Sequence, residues 1–71
     1  MLDNSDKGLT ALGKQLREAR EQLGLSQVIL AKKAGLSPNY YASVERGEKN
    51  ISFEKLLPLL KVLNIKKLDI K

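Results

Sequence analysis

The sequence predicts an all-α domain of four or five short helices joined by very short loops. Three observations predict it. Apolar residues recur in steps of three and four, a serine-then-glycine punctuation repeats along the chain, and no alternating run is long enough for a strand. At 71 residues there is room for one domain, whose thin core covers roughly 60% of the surface the unfolded chain exposes. Disulfides or a structural metal often hold such small chains, yet this one contains neither Cys nor His. Zinc modules, haem ligation through His and Cys–His nucleophiles are therefore excluded, and no cofactor is expected.

The elements follow in order. Residues 1–7 carry Asp3, Asn4, Ser5 and Asp6 with little to bury, and read as a flexible leader to a domain over 8–71. Leu9, Leu12, Leu16, Ala19 and Leu23 form one stripe of a first helix, and Gly24 is suited to end it. Ser26 is placed to cap a second helix, Gln27 to Ala34, closed by Gly35. Ser37 and Pro38 repeat the signature as cap and first helical residue of a third helix, running to about Arg46 and stopping at Gly47. Ser52 opens a fourth helix through Phe53, Leu56, Leu57, Leu60 and Leu63, which Asn64 ends; Leu68 and Ile70 suggest a last short turn. Pro58 removes a donor inside that fourth helix, so the helix either kinks there or starts later, and a kink is favoured.

Charge and hydropathy bound the function without naming it. The net charge is +5, neutral over residues 1–25 and positive beyond, which suits an anionic partner and proves none. The longest apolar run spans only Leu56 to Leu60, too short to cross a bilayer, and the polar, acidic start is no secretory signal, so a cytoplasmic protein is expected. No metal constellation, phosphate-cradling glycine loop or nucleophile beside a base is present, so the chain is not read as an enzyme.

The informative stretch is 27–46, QVILAKKAGLSPNYYASVER. It sets two short helices around a glycine-centred turn, with Leu30, Ala34, Leu36, Tyr41 and Val44 as the apolar faces that must meet. Ala31 is small where two steeply crossing helices touch most closely, and Gly35 follows four residues later where the chain must turn sharply. That set is what a helix-turn-helix requires.

Together with LREAREQLGLSQ, LAKKAGLS, VERGEKNIS and LLPLLKVLNI, these residues resemble the Cro and lambda-repressor type of helix-turn-helix protein, the Xre family, over about residues 10 to 66. The resemblance implies a compact four- to five-helix bundle of the lambda-repressor-like type, with helices 2 and 3 as the motif and double-stranded DNA as the partner. It implies that the third helix enters the major groove. Asn39 would then pair with an adenine, Ser43 would share its face, and Tyr40 would reach a base or a phosphate. Gln27, Ser37, Arg46, Lys49 and Asn50 would contact phosphates, with Ser37 also a helix cap. Pro38 stands where relatives often place a polar base reader. Tyr41 occupies a position usually aliphatic in the family, so its ring should be buried and its hydroxyl partnered. Arg20 and Glu45 match a buried ion pair of some relatives, the alternative being two solvated charges.

Val28 and Ile29 depart from the family pattern, and at least one should be exposed, as a tolerated surface hydrophobe or as a protein contact. Leu63, Ile65, Leu68 and Ile70 exceed what a thin core hides and are the candidates for a homodimer interface. The leading expectation is a prokaryotic or phage transcriptional regulator, most simply a dimeric repressor on a near-palindromic operator. The chain is similar alike to Cro-like repressors, restriction–modification controllers and small antitoxin regulators. The alternative is a protein-interaction module that keeps the fold and binds a protein instead of DNA.

Overall fold

A computed structural model gives the structure of residues 4–65. It contains α1 (Asn4–Gln22), α2 (Gln27–Lys33), α3 (Pro38–Glu45) and α4 (Phe53–Leu63), with no strand among the described residues. The first helix begins at Asn4, inside the segment read from sequence as a leader.

Local chemistry sets nearly every boundary. Ser26, Ser37 and Ser52 hold extended backbone, and their hydroxyl oxygens accept from the amides of Ile29, Tyr40 and Lys55. Each cap satisfies an amide that the helix itself cannot, worth about 1 kcal/mol. All four helices then end through a left-handed residue: Gly24, Gly35 and Gly47 at φ 71°, 75° and 76°, and Asn64 at φ 57°. In each case the next amide reaches back five residues. Leu25 donates to the Arg20 carbonyl, Leu36 to Ala31, Glu48 to Ser43 and Ile65 to Leu60. All four are Schellman turns, and the three between helices open the loops tightly.

The core is assembled from all four helices. Leu12 and Leu16 of α1, Leu30 and Ala31 of α2, Tyr41 and Val44 of α3, and Leu59 and Leu63 of α4 are buried together with Ala34. Each fully buried leucine contributes roughly 1.5–3 kcal/mol. Helix α3 packs on α1 and α2, and α4 packs on α1 and α2, so the two motif helices lean on a scaffold of the other two.

Several apolar residues lie elsewhere than their spacing implies. Leu23, last of the first stripe, is 52% exposed because it follows the end of α1 and its amide is already caught by the Ala19 and Arg20 carbonyls of the terminating turn. Phe53 is 69% exposed at the first position of α4, whose inward face is set instead by Leu56, Leu59, Leu60 and Leu63. Pro58 stands inside α4, which starts directly after its Ser52 cap and continues past the proline. The Glu54 carbonyl that Pro58 leaves without an amide belongs to an exposed residue, where water can serve it.

Leu63 corrects the expected dimer surface. It is buried in the core at the end of α4, so it is spent on the monomer. Ile65 is half-buried against that core, while Leu68 and Ile70 lie outside the described residues.

Candidate nucleic-acid interface

The turn between α2 and α3 decides what is displayed. Gly35 takes φ 75°, and the Leu36 amide closes on the Ala31 carbonyl at 2.8 Å, so the chain reverses within four residues and delivers Ser37 to cap α3. Pro38 and Asn39 form the first turn behind that cap. Asn39 is exposed, and its side-chain amide has no hydrogen-bond partner among the described residues.

Ser43 departs from the expected reading face. It is only 6% exposed, and its hydroxyl donates to the Tyr40 carbonyl at 2.6 Å. The buried arc of α3 comprises Tyr41, Ser43, Val44 and Glu45, wider than its apolar residues suggest. A serine one turn beyond Asn39 is thereby carried under the protein surface. Tyr40 is half-buried, and its hydroxyl donates to the Asn50 carbonyl at 3.1 Å.

Glu45 is the hub that fixes the orientation of α3. Arg20 of α1 donates through Nε to Oε2 at 2.6 Å and through Nη2 to Oε1 at 3.2 Å, while its Nη1 holds the Leu25 carbonyl at 2.8 Å. Gln27 of α2 donates to Oε1 at 2.9 Å, and the Tyr41 hydroxyl donates to Oε2 at 2.5 Å. One carboxylate thus joins three helices with all its strong acceptor sites used. Burial works against the Glu45 charge, but hydrogen bonds from Arg20, Tyr41 and Gln27 together outweigh it and hold the carboxyl below its usual range. Burial, then the bond to Glu45, pushes the Tyr41 phenol well above its usual range, and the bond to Glu45 raises Arg20 further. No buried side-chain polar atom is left without a partner among the described residues.

Beyond α3 the chain is exposed and charged. Arg46 grips Glu48 through Nε and Nη2, both at 2.9 Å, so the cation nearest the end of α3 is held by a carboxylate. Lys49 and Asn50 are exposed, and the Asn50 side chain accepts from the Ile51 amide. The Lys55 ammonium sits 5.0 Å from the centre of the Tyr40 ring.

This geometry agrees with comparison to known proteins. Residues 16–70 match the model of a helix-turn-helix family. The chain belongs to that family, of Cro and lambda-repressor type. Its fold is similar to the restriction–modification controller protein C.AhdI from Aeromonas hydrophila, with a TM-score of 0.79, 43% identity, and coverage of 82% of this chain and 88% of that one. No curated protein sequence matches significantly. As a member of the helix-turn-helix family the chain is a DNA-binding regulator of transcription. No described helix is long and apolar enough to cross a membrane.

Within the helix-turn-helix frame, three residues escaped sequence reasoning. Gly13 of α1 lies against α3 so closely that a Cβ there would run into the Glu45 carbonyl, 2.7 Å from its carbon. Glu48 occupies Arg46, and Lys55 rests on Tyr40. Only Glu48 has a local signal, an acid two residues from the arginine. The other two meet partners that pattern and periodicity do not disclose.

Proposed function

We propose that the protein is a cytoplasmic homodimer that reads a near-palindromic operator through the major groove and represses by occluding a promoter. Its likeness to a restriction–modification controller supports a role in controlling such a system. The observation that carries the reading is Asn39: an exposed, unpartnered amide on the first turn of α3, poised for a bidentate pair with adenine. Other residues of the motif and of the loop after α3 keep hydrogens for phosphate. Gln27 keeps its second Nε2–H, Ser37 its hydroxyl proton, Asn50 its Nδ2 pair and Lys49 its ammonium.

A single short helix reads few base pairs, so selectivity calls for two copies related by a two-fold axis. Phe53 and Leu57, exposed one turn apart on α4, support a second copy as partner. A second reading rests on Val28 and Ile29, both about half exposed at 47% and 48% near the start of α2, which favour a protein contact in place of DNA.

Selection from a random duplex library at moderate salt separates the readings. A two-fold symmetric site with half-sites about one helical turn, roughly 34–36 Å, apart is expected. Asn39→Ala should lose one base preference, and Ser43→Ala should keep all of them. If nothing enriches and retention is indifferent to salt, the operator reading fails and the protein contact gains.

A further inference from the structure

The cations that α3 needs are not on α3. From Pro38 to Glu45 the helix carries no Lys or Arg, and Arg46 just behind it shares its guanidinium with Glu48 in an exposed, exchanging pair. Phosphates nevertheless line both walls of a major groove only about 12 Å wide, so positive groups must flank the helix closely. Lys55 is placed to be one. It stands in the first turn of α4, where the helix dipole disfavours a cation, and no carboxylate lies within salt-bridge reach of it among the described residues. What holds it there is Tyr40, in the first turn of α3, whose ring lies beneath the ammonium at 5.0 Å.

Tyr40 has a second attachment. Its one hydroxyl proton goes to the Asn50 carbonyl, so the phenol has none to give a phosphate. The same side chain therefore ties the α3–α4 loop and the start of α4 to the end of α3 that faces the groove. We infer that Tyr40 is a positioning residue, and that it holds Lys55 with Lys49 and Asn50 as one phosphate-contacting edge beside the recognition helix. This rests on α3 being the helix that reads DNA.

The test is the salt dependence of binding to the selected duplex, measured for the wild type, Lys55→Gln, Lys55→Arg, Tyr40→Leu, Tyr40→Phe and the Lys55→Gln/Tyr40→Leu double variant. Loss of one phosphate contact lowers the slope of log affinity against log salt by about 0.9, so Lys55→Gln should lose about threefold less affinity than wild type between 50 and 200 mM salt. Lys55→Arg should restore the slope, and the double variant should fall no further in slope than Tyr40→Leu. Tyr40→Phe keeps the ring under Lys55 and should keep its contribution, which covers the case in which Tyr40→Leu fails to fold. Base preferences should be unchanged throughout. A salt-dependent wild type whose slope Lys55→Gln leaves intact overturns the inference alone, as does a changed base preference in Tyr40→Phe. A wild type indifferent to salt overturns the reading beneath it.

Discussion

Tyr41 and Glu45 lie one turn apart on α3, and the phenol hydroxyl donates to Glu45 Oε2 at 2.5 Å inside the protein. The same oxygen receives Arg20 Nε from α1, so ring, carboxylate and guanidinium form one chain of hydrogen bonds between α1 and α3. Its members share a purpose. The angle at which α3 packs against α1 and α2 is set by a buried charge that all of these partners share.

Breaking the chain at one end should therefore be costly. Arg20 and Glu45 side chains are 11% and 3% exposed, so Arg20→Ala leaves a buried carboxylate without its cation and should cost roughly 3–5 kcal/mol. That is a large part of the stability of any small domain, about 5–15 kcal/mol. Urea unfolding would measure it, and Arg20→Met with Glu45→Leu and Tyr41→Phe, which removes the buried phenol donor as well, should recover much of the loss. A cost under about 1 kcal/mol for Arg20→Ala would mean that the pair behaves as a solvated surface bridge.

Stability should fall at both ends of the pH scale. The folded Glu45 carboxyl lies below its ordinary value of 4.5, so its contribution is complete above that value and fades as pH drops through the folded one. The folded Tyr41 phenol lies above its ordinary value of 10.0, so its contribution is complete below pH 10.0 and fades as pH rises beyond it. Urea midpoints measured from pH 2 to 11 should show a plateau with two falling limbs. Tyr41→Phe should flatten the alkaline limb and Glu45→Gln the acid one. An alkaline limb of equal slope in Tyr41→Phe would remove Tyr41 as its source.

Two glycines of α1 should respond oppositely to the same substitution. Alanine in a helix interior is favoured over glycine by about 0.8–1 kcal/mol. Gly8 has open space where a Cβ would go, so Gly8→Ala should stabilise by up to that amount. At Gly13 the Cβ would meet the Glu45 and Val44 carbonyls, backbone that cannot swing aside. Gly13→Ala should instead destabilise by about 1–3 kcal/mol, as overpacking does. Thermal unfolding of the two variants checks this, and stabilisation at Gly13 would show that α1 and α3 separate freely.

What was legible in the sequence was what acts locally. Ser26, Ser37 and Ser52 cap helices because a hydroxyl reaches an amide three residues on, and Gly24, Gly35, Gly47 and Asn64 stop them because the left-handed turn is local too. Periodicity was less informative at the edges: it marks a stripe without saying where the helix beneath it ends, and Leu23 and Phe53 fell beyond the packed part. Ser43 lies off the face that its spacing from Asn39 implies because the core extends around α3 once Glu45 is buried with partners. Gly13 and Lys55 were illegible because each depends on a tertiary neighbour, a backbone carbonyl in one case and an aromatic face in the other.

Glu48 should restrain DNA binding. Its carboxylate holds both Arg46 donors at 2.9 Å, which raises the Arg46 pKa and lowers its own, although both groups are exposed to solvent. An ion pair in that setting is weak and exchanges readily, so a phosphate competes for Arg46 against an acid that is always nearby. A phosphate approaching Arg46 would also be repelled by the Glu48 carboxylate. Glu48→Gln removes the repulsion and frees the guanidinium, so affinity for any duplex should rise and the salt slope should steepen by about 0.9 if Arg46 gains one phosphate. Because the change touches no base reader, specific and nonspecific sites should gain alike and the selected sequence should not alter. Fluorescence anisotropy at three salt concentrations would decide. An unchanged slope with unchanged affinity would place both Arg46 and Glu48 away from the DNA, leaving Lys49 and Lys55 as the cations of that edge.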